Sequence, residues 1–137
     1  PRPIGKVASG GELSRISLAI SVTTSQLGTA PTLVFDEVDS GVGGAVAETV
    51  GRLMRQLGRD RQVLAVTHLP QVAAYADHHL MVSKRRNTKG TTSTVTPVLG
   101  DLRVTEVARM LGGERPTGTS LAHASEMLSL ANTPQKG

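Results

Sequence analysis

The chain contains no cysteine and no tryptophan, and it has one phenylalanine and one tyrosine among its 137 residues. Without cysteine there is no disulfide framework, no thiolate metal site and no catalytic thiol. With so few aromatic residues, the core must be built from Ala, Val, Leu and Ile. A chain of this length predicts one domain, which would bury about two-thirds of the surface that its unfolded form exposes.

Long hydrophobic runs are also absent. No apolar run approaches the ~18 residues of a membrane span, and no signal-peptide pattern opens the chain, which favours a cytoplasmic protein without a membrane partner. The net charge is mildly positive, at +4, and Lys84, Arg85, Arg86 and Lys89 form its one dense cluster. Such a cluster can neutralise nucleic-acid phosphates, although a solvated loop tip is the more common explanation.

A phosphate-binding loop of the form Gly-x-x-x-x-Gly-Lys-Ser/Thr is missing as well. Three other short segments do occur, in a fixed order: Ser-Gly-Gly-Glu at 9–12, Thr-Leu-Val-Phe-Asp-Glu at 32–37, and Val-Thr-His at 66–68. They predict a glycine-rich turn that opens a helix, a buried strand that ends in two carboxylates, and a second strand that ends in histidine. These are three parts of a nucleoside-triphosphate hydrolysis site.

The predicted order of elements is that of an α/β layer protein with a mainly parallel sheet flanked by helices. Hydrophobic periodicity predicts an extended start over 1–7, helices over 12–27, 45–57, 70–75, 104–111 and 120–131, buried strands over 32–35 and 62–67, and an antiparallel edge hairpin with strands over 79–83 and 93–99. The first of the two buried strands is expected to be covered on both faces, as is typical of parallel sheets. Residues 132–137 are predicted to be a disordered tail.

The adjacent carboxylates Asp36 and Glu37 end the first buried strand. Successive strand side chains face opposite ways, so the two cannot both enter the core. In phosphoryl-transfer sites the first such carboxylate holds Mg²⁺, and the second orients the attacking water and accepts its proton. The alternative is an acidic strand end that caps a neighbouring helix or is merely solvated.

The segment Ser9, Gly10, Gly11 and Glu12 has two interpretations. The glycines let backbone N–H groups approach an anion, and the helix that they open adds the positive end of its dipole. An ordinary capping box between the serine and the glutamate explains the same string equally well.

His68 is placed to hydrogen-bond a transferring phosphate, although a histidine at a strand end is more often structural. No role is assigned to His78, His79 or His123, because no His, Asp and Glu spacing matches a zinc site. A serine hydrolase is disfavoured, because no serine lies in Gly-x-Ser-x-Gly.

Together these motifs resemble the ABC-type ATPase heads: residues 9–12 resemble the signature loop, 32–37 resemble Walker B with its catalytic glutamate, and His68 resembles the switch histidine. The closer resemblance is to SMC-like proteins, whose head is split into an N-terminal lobe with the P-loop and a C-terminal lobe. Residues 1–137 resemble the C-terminal lobe. Four segments, 6–15, 35–44, 67–72 and 106–113, are very like bacterial SMC-like proteins of DNA repair.

This resemblance implies ATP and Mg²⁺ as cofactors and a head-to-tail dimer of heads around two ATP molecules. Residues 9–12 would contact the ATP of the partner head, whereas Asp36 would bind Mg²⁺ and Glu37 and His68 would be catalytic within their own head. The implied partners are the P-loop lobe of the same protein, a second head and DNA. The implied role is recombinational repair of DNA double-strand breaks in the cytoplasm, at the nucleoid. The isolated fragment is expected to be inactive.

Two alternatives stay open. One is a lobe of a transporter-type ABC cassette, although Val38-Asp39 stands where such cassettes usually have Pro-Thr. The other is a non-catalytic interaction module in which the strand-end acids are structural. Many ABC heads also have an aspartate that contacts the opposite subunit where this chain has Gly43, so the role of Asp39 is left open.

Overall fold

The computed structural model describes residues 30–37, 39, 41–113 and 115–134. The chain divides into two compact units, Pro1–Tyr75 and Ala76–Gly137. The predictions for residues 1–29, an extended start and a helix over 12–27, lie outside the described residues. Within the described residues, no helix is long and apolar enough to cross a membrane.

The first unit alternates strands and helices as predicted. Among its described residues, the elements are β1 (Thr32–Asp36), α1 (Gly44–Leu57), β2 (Gln62–Val66) and α2 (Pro70–Ala73). Strands β1 and β2 pair in parallel, in register from Thr32 opposite Gln62 to Asp36 opposite Val66. Helix α2 begins at Pro70, whose missing N–H costs nothing in a first turn, and it is shorter than the predicted 70–75.

The core of this unit lies between β1 and α1. Leu33 and Phe35 alternate with exposed residues along β1, and the helix contributes side chains that recur at helical spacing. Burial of each Val, Leu, Phe or Met side chain contributes about 1.5–3 kcal/mol. The buried members of the cluster are Leu33, Phe35, Ala47, Val50, Met54 and Val72.

Among the described residues, the prediction that the first buried strand is covered on both faces was wrong. On the face opposite Leu33 and Phe35, Val34 is 66% exposed, Leu64 is 46% exposed and Val66 is 55% exposed. These residues share a face because Val34 pairs with Leu64 and strand side chains alternate. Among the described residues, the sheet therefore has one packed apolar face and one bare apolar face.

The second unit begins with an antiparallel hairpin of β3 (His79–Asn87) and β4 (Gly90–Val98), followed by α3 (Gly100–Gly112) and α4 (Gly118–Asn132). The hairpin is confirmed, but its strands run farther than predicted, to a tight turn at Thr88-Lys89. Threonine favours strands, and Gly90 has a φ of 130°, which other residues rarely adopt. Within the described residues the hairpin is a separate sheet and does not extend the parallel one.

Helices α3 and α4 pack on each other, and α3 also contacts β4. Helix α3 begins at Gly100, earlier than the predicted 104, and α4 begins at a capping box between Thr117 and Ser120. At the base of the hairpin His79 is half-buried. Burial, and next the positive charge of Arg103, lower the pKa of His79 below its ordinary value of 6.5.

Helix α1 lies close to the segment after β2 at Gly51. A Cβ on Gly51 would lie 2.8 Å from Cδ2 of Tyr75 and 3.1 Å from the carbonyl oxygen of Gln71. The Tyr75 hydroxyl accepts a hydrogen bond from Nε of Arg52 at 3.1 Å and donates to Oε1 of Glu48 at 3.1 Å. Because these contacts hold the ring over the glycine, the ring cannot easily move away.

We expect Gly51→Ala to lower the free energy of unfolding by about 1–3 kcal/mol, because the added methyl group overpacks this contact. Gly112→Ala is the matched control, since a Cβ on Gly112 of α3 meets nothing within 4 Å. The control should leave stability unchanged or raise it slightly. Urea unfolding followed by circular dichroism compares the two variants, and equal midpoints would contradict this account of Gly51.

Candidate functional site

The predicted site residues lie where β1 and β2 end. Asp36 is the last residue of β1 and is in register with Val66, the last residue of β2. The backbone N–H of Glu37 donates to the carbonyl oxygen of Val66 at 2.9 Å, which continues the pairing one residue beyond β1. Because the strands are parallel, Asp36-Glu37 and Thr67-His68 leave the sheet at the same edge, where ligands bind in α/β proteins.

Asp36, Glu37 and His68 are all exposed, so each side chain is accessible to a ligand. Glu37 has a φ of 51° and is the one residue other than glycine with a positive φ in the described part of the chain. A side chain in this left-handed conformation costs about 1–3 kcal/mol, and such positions cluster at functional sites. The conformation of Glu37 therefore favours a functional acid over an ordinary solvated strand end.

Asp39 is the buried acid of the site, with 1% of its surface exposed. One carboxylate oxygen, Oδ2, accepts a hydrogen bond from the hydroxyl of Thr67. The Thr67 oxygen in turn accepts a hydrogen bond from the backbone N–H of Leu69 at 3.0 Å. This chain of bonds joins the loop after β1 to the residues on both sides of His68, so it fixes the backbone that carries the histidine.

The other carboxylate oxygen of Asp39, Oδ1, is also buried, and no described residue donates to it. The residue pattern assigns no role to Asp39. The only indication of its contact with Thr67 is that an acid comes shortly after one buried strand and a hydroxyl comes directly after the next. That signal becomes specific only once the two strands are known to be paired in register.

The glycine-rich loop 41–44 joins this acid to α1. Gly41 has a φ of 79°, which favours glycine, and a Cβ on Gly44 would lie 3.2 Å from Nε2 of Gln71. Gly43 is the N-cap of α1 and has no side chain to cap the helix, although a Cβ there would meet nothing within 4 Å. Packing against the described residues would therefore allow a side chain such as aspartate at position 43.

The donor set at this edge fits one kind of metal site. No group of three or more His, Cys, Asp and Glu that could hold a metal ion occurs within the described residues. Mg²⁺ is commonly held by one or two carboxylates together with water and substrate phosphates. The exposed carboxylate of Asp36 suits a Mg²⁺ ion that arrives with a nucleotide, and it does not suit a metal held by protein side chains alone. Ser9, Gly10, Gly11 and Glu12 lie outside the described residues.

Thr67→Val should lower the free energy of unfolding by about 1–3 kcal/mol, because it leaves the buried Asp39 carboxylate without its donor. Thr67→Ser is the matched control, since serine keeps the hydroxyl and should retain most of the stability. Chemical unfolding of both variants measures the difference. If the valine variant were as stable as the serine variant, the hydrogen bond to Asp39 would not stabilise the site.

No protein-family model matches the chain. The chain is similar to DNA repair protein RecN of Vibrio cholerae, with 50% identity over 130 residues that cover 95% of the chain and 24% of that protein. It is also similar to DNA repair protein RecN of Haemophilus influenzae, with 51% identity over 132 residues that cover 96% and 24%. The corresponding protein of Streptomyces coelicolor is 50% identical over 130 residues, which cover 95% and 23%. The chain thus spans about a quarter of the length of these curated relatives.

A solved structure from work on ATP-driven dimerization and DNA-stimulated activation of SMC ATPases has a similar fold. The TM-score is 0.62 at 20% identity, and the match covers 81% of this chain and 65% of the other. The α/β fold predicted from the sequence, with a parallel sheet, an antiparallel hairpin and helices, is confirmed. The resemblance to the bacterial SMC-like repair proteins, inferred from the motifs, is confirmed along nearly the whole chain.

Proposed function

We propose that this RecN-like chain is the C-terminal lobe of an SMC-like ATPase head that acts in recombinational repair of DNA double-strand breaks. The observation that supports it most directly is the common edge of β1 and β2. There a pair of exposed acids, one of them in a strained backbone conformation, leaves the sheet beside a histidine. The DNA-repair name of the relatives favours this role over a transporter cassette.

In this proposal the substrate is ATP, and the reaction is hydrolysis of its γ-phosphate. Glu37 orients the attacking water and accepts its proton as the bond from the γ-phosphorus to the bridging oxygen breaks. His68 donates a hydrogen bond to the γ-phosphate. Asp36 would hold Mg²⁺, which neutralises charge on the phosphate oxygens when it is bound.

The remaining parts of the site come from elsewhere. A P-loop lobe of the same polypeptide would cradle the phosphates, and residues 9–12 would cover the ATP of a second head in a homodimer. Among the described residues, Val34, Leu64 and Val66 expose one apolar face of the parallel sheet, and this supports a lobe that is completed by another, because contiguous exposed apolar surface is a mark of a contact site. ATP would then join two heads and hydrolysis would release them, in the cytoplasm and at the nucleoid.

Glu37→Gln in the full-length protein tests the proposed chemistry. We expect ATP turnover to fall by about 10²-fold or more while ATP binding is retained, because glutamine keeps the shape of the side chain but cannot accept the proton. Glu48→Gln on α1 is the matched control, since Glu48 forms a partly exposed ion pair with Arg52. Its turnover should stay close to that of the unaltered protein, and unchanged turnover in the Glu37 variant would refute the proposed base.

The isolated chain should hydrolyse no ATP, because it lacks the P-loop. Addition of the separately prepared P-loop lobe should restore Mg²⁺-dependent hydrolysis, measured as phosphate release. The same mixture made with the Glu37→Gln chain is the control and should remain inactive. Robust hydrolysis by the chain alone would contradict the division of the site between lobes.

A further inference from the structure

The outer part of the β3–β4 hairpin is a cationic ribbon that contains no acidic residue. Strands β3 and β4 and their turn, residues 79–98, contain Lys84, Arg85, Arg86 and Lys89 but no Asp or Glu. Every residue from 82 to 97 is exposed. None of the ion pairs among the described residues involves these four cations. We call these four residues, together with the strand ends that hold them, the basic tip.

The register of the hairpin places a hydroxyl beside each cation of β3. Lys84 is opposite Ser93, Arg85 is opposite Thr92, and Arg86 is opposite Thr91. Arginine, lysine, serine and threonine are among the side chains that hydrogen-bond to nucleic-acid phosphates. The basic tip therefore offers both charge neutralisation and hydrogen-bond donors along a single ribbon.

The strand period also distributes the charge over both faces of the ribbon. Lys84 and Arg86 share one face, and Arg85 lies on the opposite face, because strand side chains alternate. A ribbon of this kind can contact phosphates on both of its sides at once. The major groove of duplex DNA, about 12 Å wide, admits a two-stranded β-ribbon between its two phosphate backbones.

The stability of the exposed hairpin also bears on its function. A two-stranded ribbon is only marginally stable in water by itself, and among the described elements of its unit this one contacts α3 through β4. The exposed apolar residues Leu80, Val82 and Val95 lie closer to the base of the hairpin than to the turn. The half of the ribbon nearest the turn is polar and positively charged, which fits an anionic partner and not an apolar one.

We propose that the basic tip of the β3–β4 hairpin is a surface that binds the phosphate backbones of duplex DNA. This inference rests on the proposed association with DNA and names the surface that makes the contact. The partner is a polyanion with closely spaced phosphates, since four cations along one short ribbon, none of them in an ion pair with another described residue, match that charge density.

The test uses the full-length protein and measures the affinity for duplex DNA over a range of salt concentrations. Log affinity falls with log salt, and each lost phosphate contact reduces the steepness of this fall by about 0.9. Lys84→Gln with Arg86→Gln should therefore make the negative slope shallower by about 2, and further addition of Arg85→Gln and Lys89→Gln should make it shallower again by a similar amount.

Arg59→Gln with Arg115→Gln is the matched control. Both arginines are exposed and lie outside the hairpin, and this pair removes the same amount of positive charge. The control should keep its slope. Equal losses in both double variants would overturn the proposal, because they would show that net charge alone attracts DNA. Unchanged slopes in both would also overturn it.

Two further measurements test whether charge alone explains the binding and whether the partner is a different polyanion or a membrane. Lys84→Arg with Arg86→Lys keeps the charges and should bind DNA like the unaltered protein, and loss of binding in this swap would overturn the proposal. If the glutamine variants kept DNA binding but lost binding to vesicles that contain phosphatidylserine, or to polyglutamate, the partner would not be DNA.

ATP turnover without DNA should be unchanged in the variants. A full-length protein that hydrolyses no ATP would refute the proposed function, while its DNA affinity would still test the basic tip.

Discussion

The in-register pairing of β1 with β2 is the constraint on which the site depends. A shift of one residue would turn Leu33 and Phe35 away from α1 and present Val34 in their place, because strand side chains alternate. The same shift would separate Asp36 from the end of β2. The apolar core of the first unit therefore fixes the register. The register in turn brings the acids to the edge of the sheet from which the chain continues to His68.

Two acidic residues at this edge raise the free energy of the folded state. Glu37 has a positive φ, and Asp39 is a buried carboxylate with one hydrogen-bonded oxygen and one that no described residue reaches. Both features destabilise the folded state locally and are tolerated because the packing of α1 on β1 stabilises the unit around them. The hydroxyl of Thr67 lowers this cost and at the same time fixes the backbone next to His68.

Two features of the first unit support the proposed division of the site between lobes. Its parallel sheet leaves one apolar face bare among the described residues, and its strand-end acids have no phosphate-binding loop anywhere in the sequence. A separate lobe that supplied the loop could also cover the sheet. The second unit is different, because its most exposed element is polar and basic, and exposure of that element requires no covering layer.

Features that arise locally could be read from the residues alone. The continuous apolar run at 32–35, the helical spacing along 45–57 and the position of Pro70 predicted β1, α1 and the start of α2, and the motifs predicted that Asp36, Glu37 and His68 lie at strand ends. Three features became visible only in the folded chain: the burial of Asp39 against Thr67, the single packed face of the sheet and the full length of the hairpin. Burial and strand pairing depend on residues far apart in the chain, whose contacts no local pattern records.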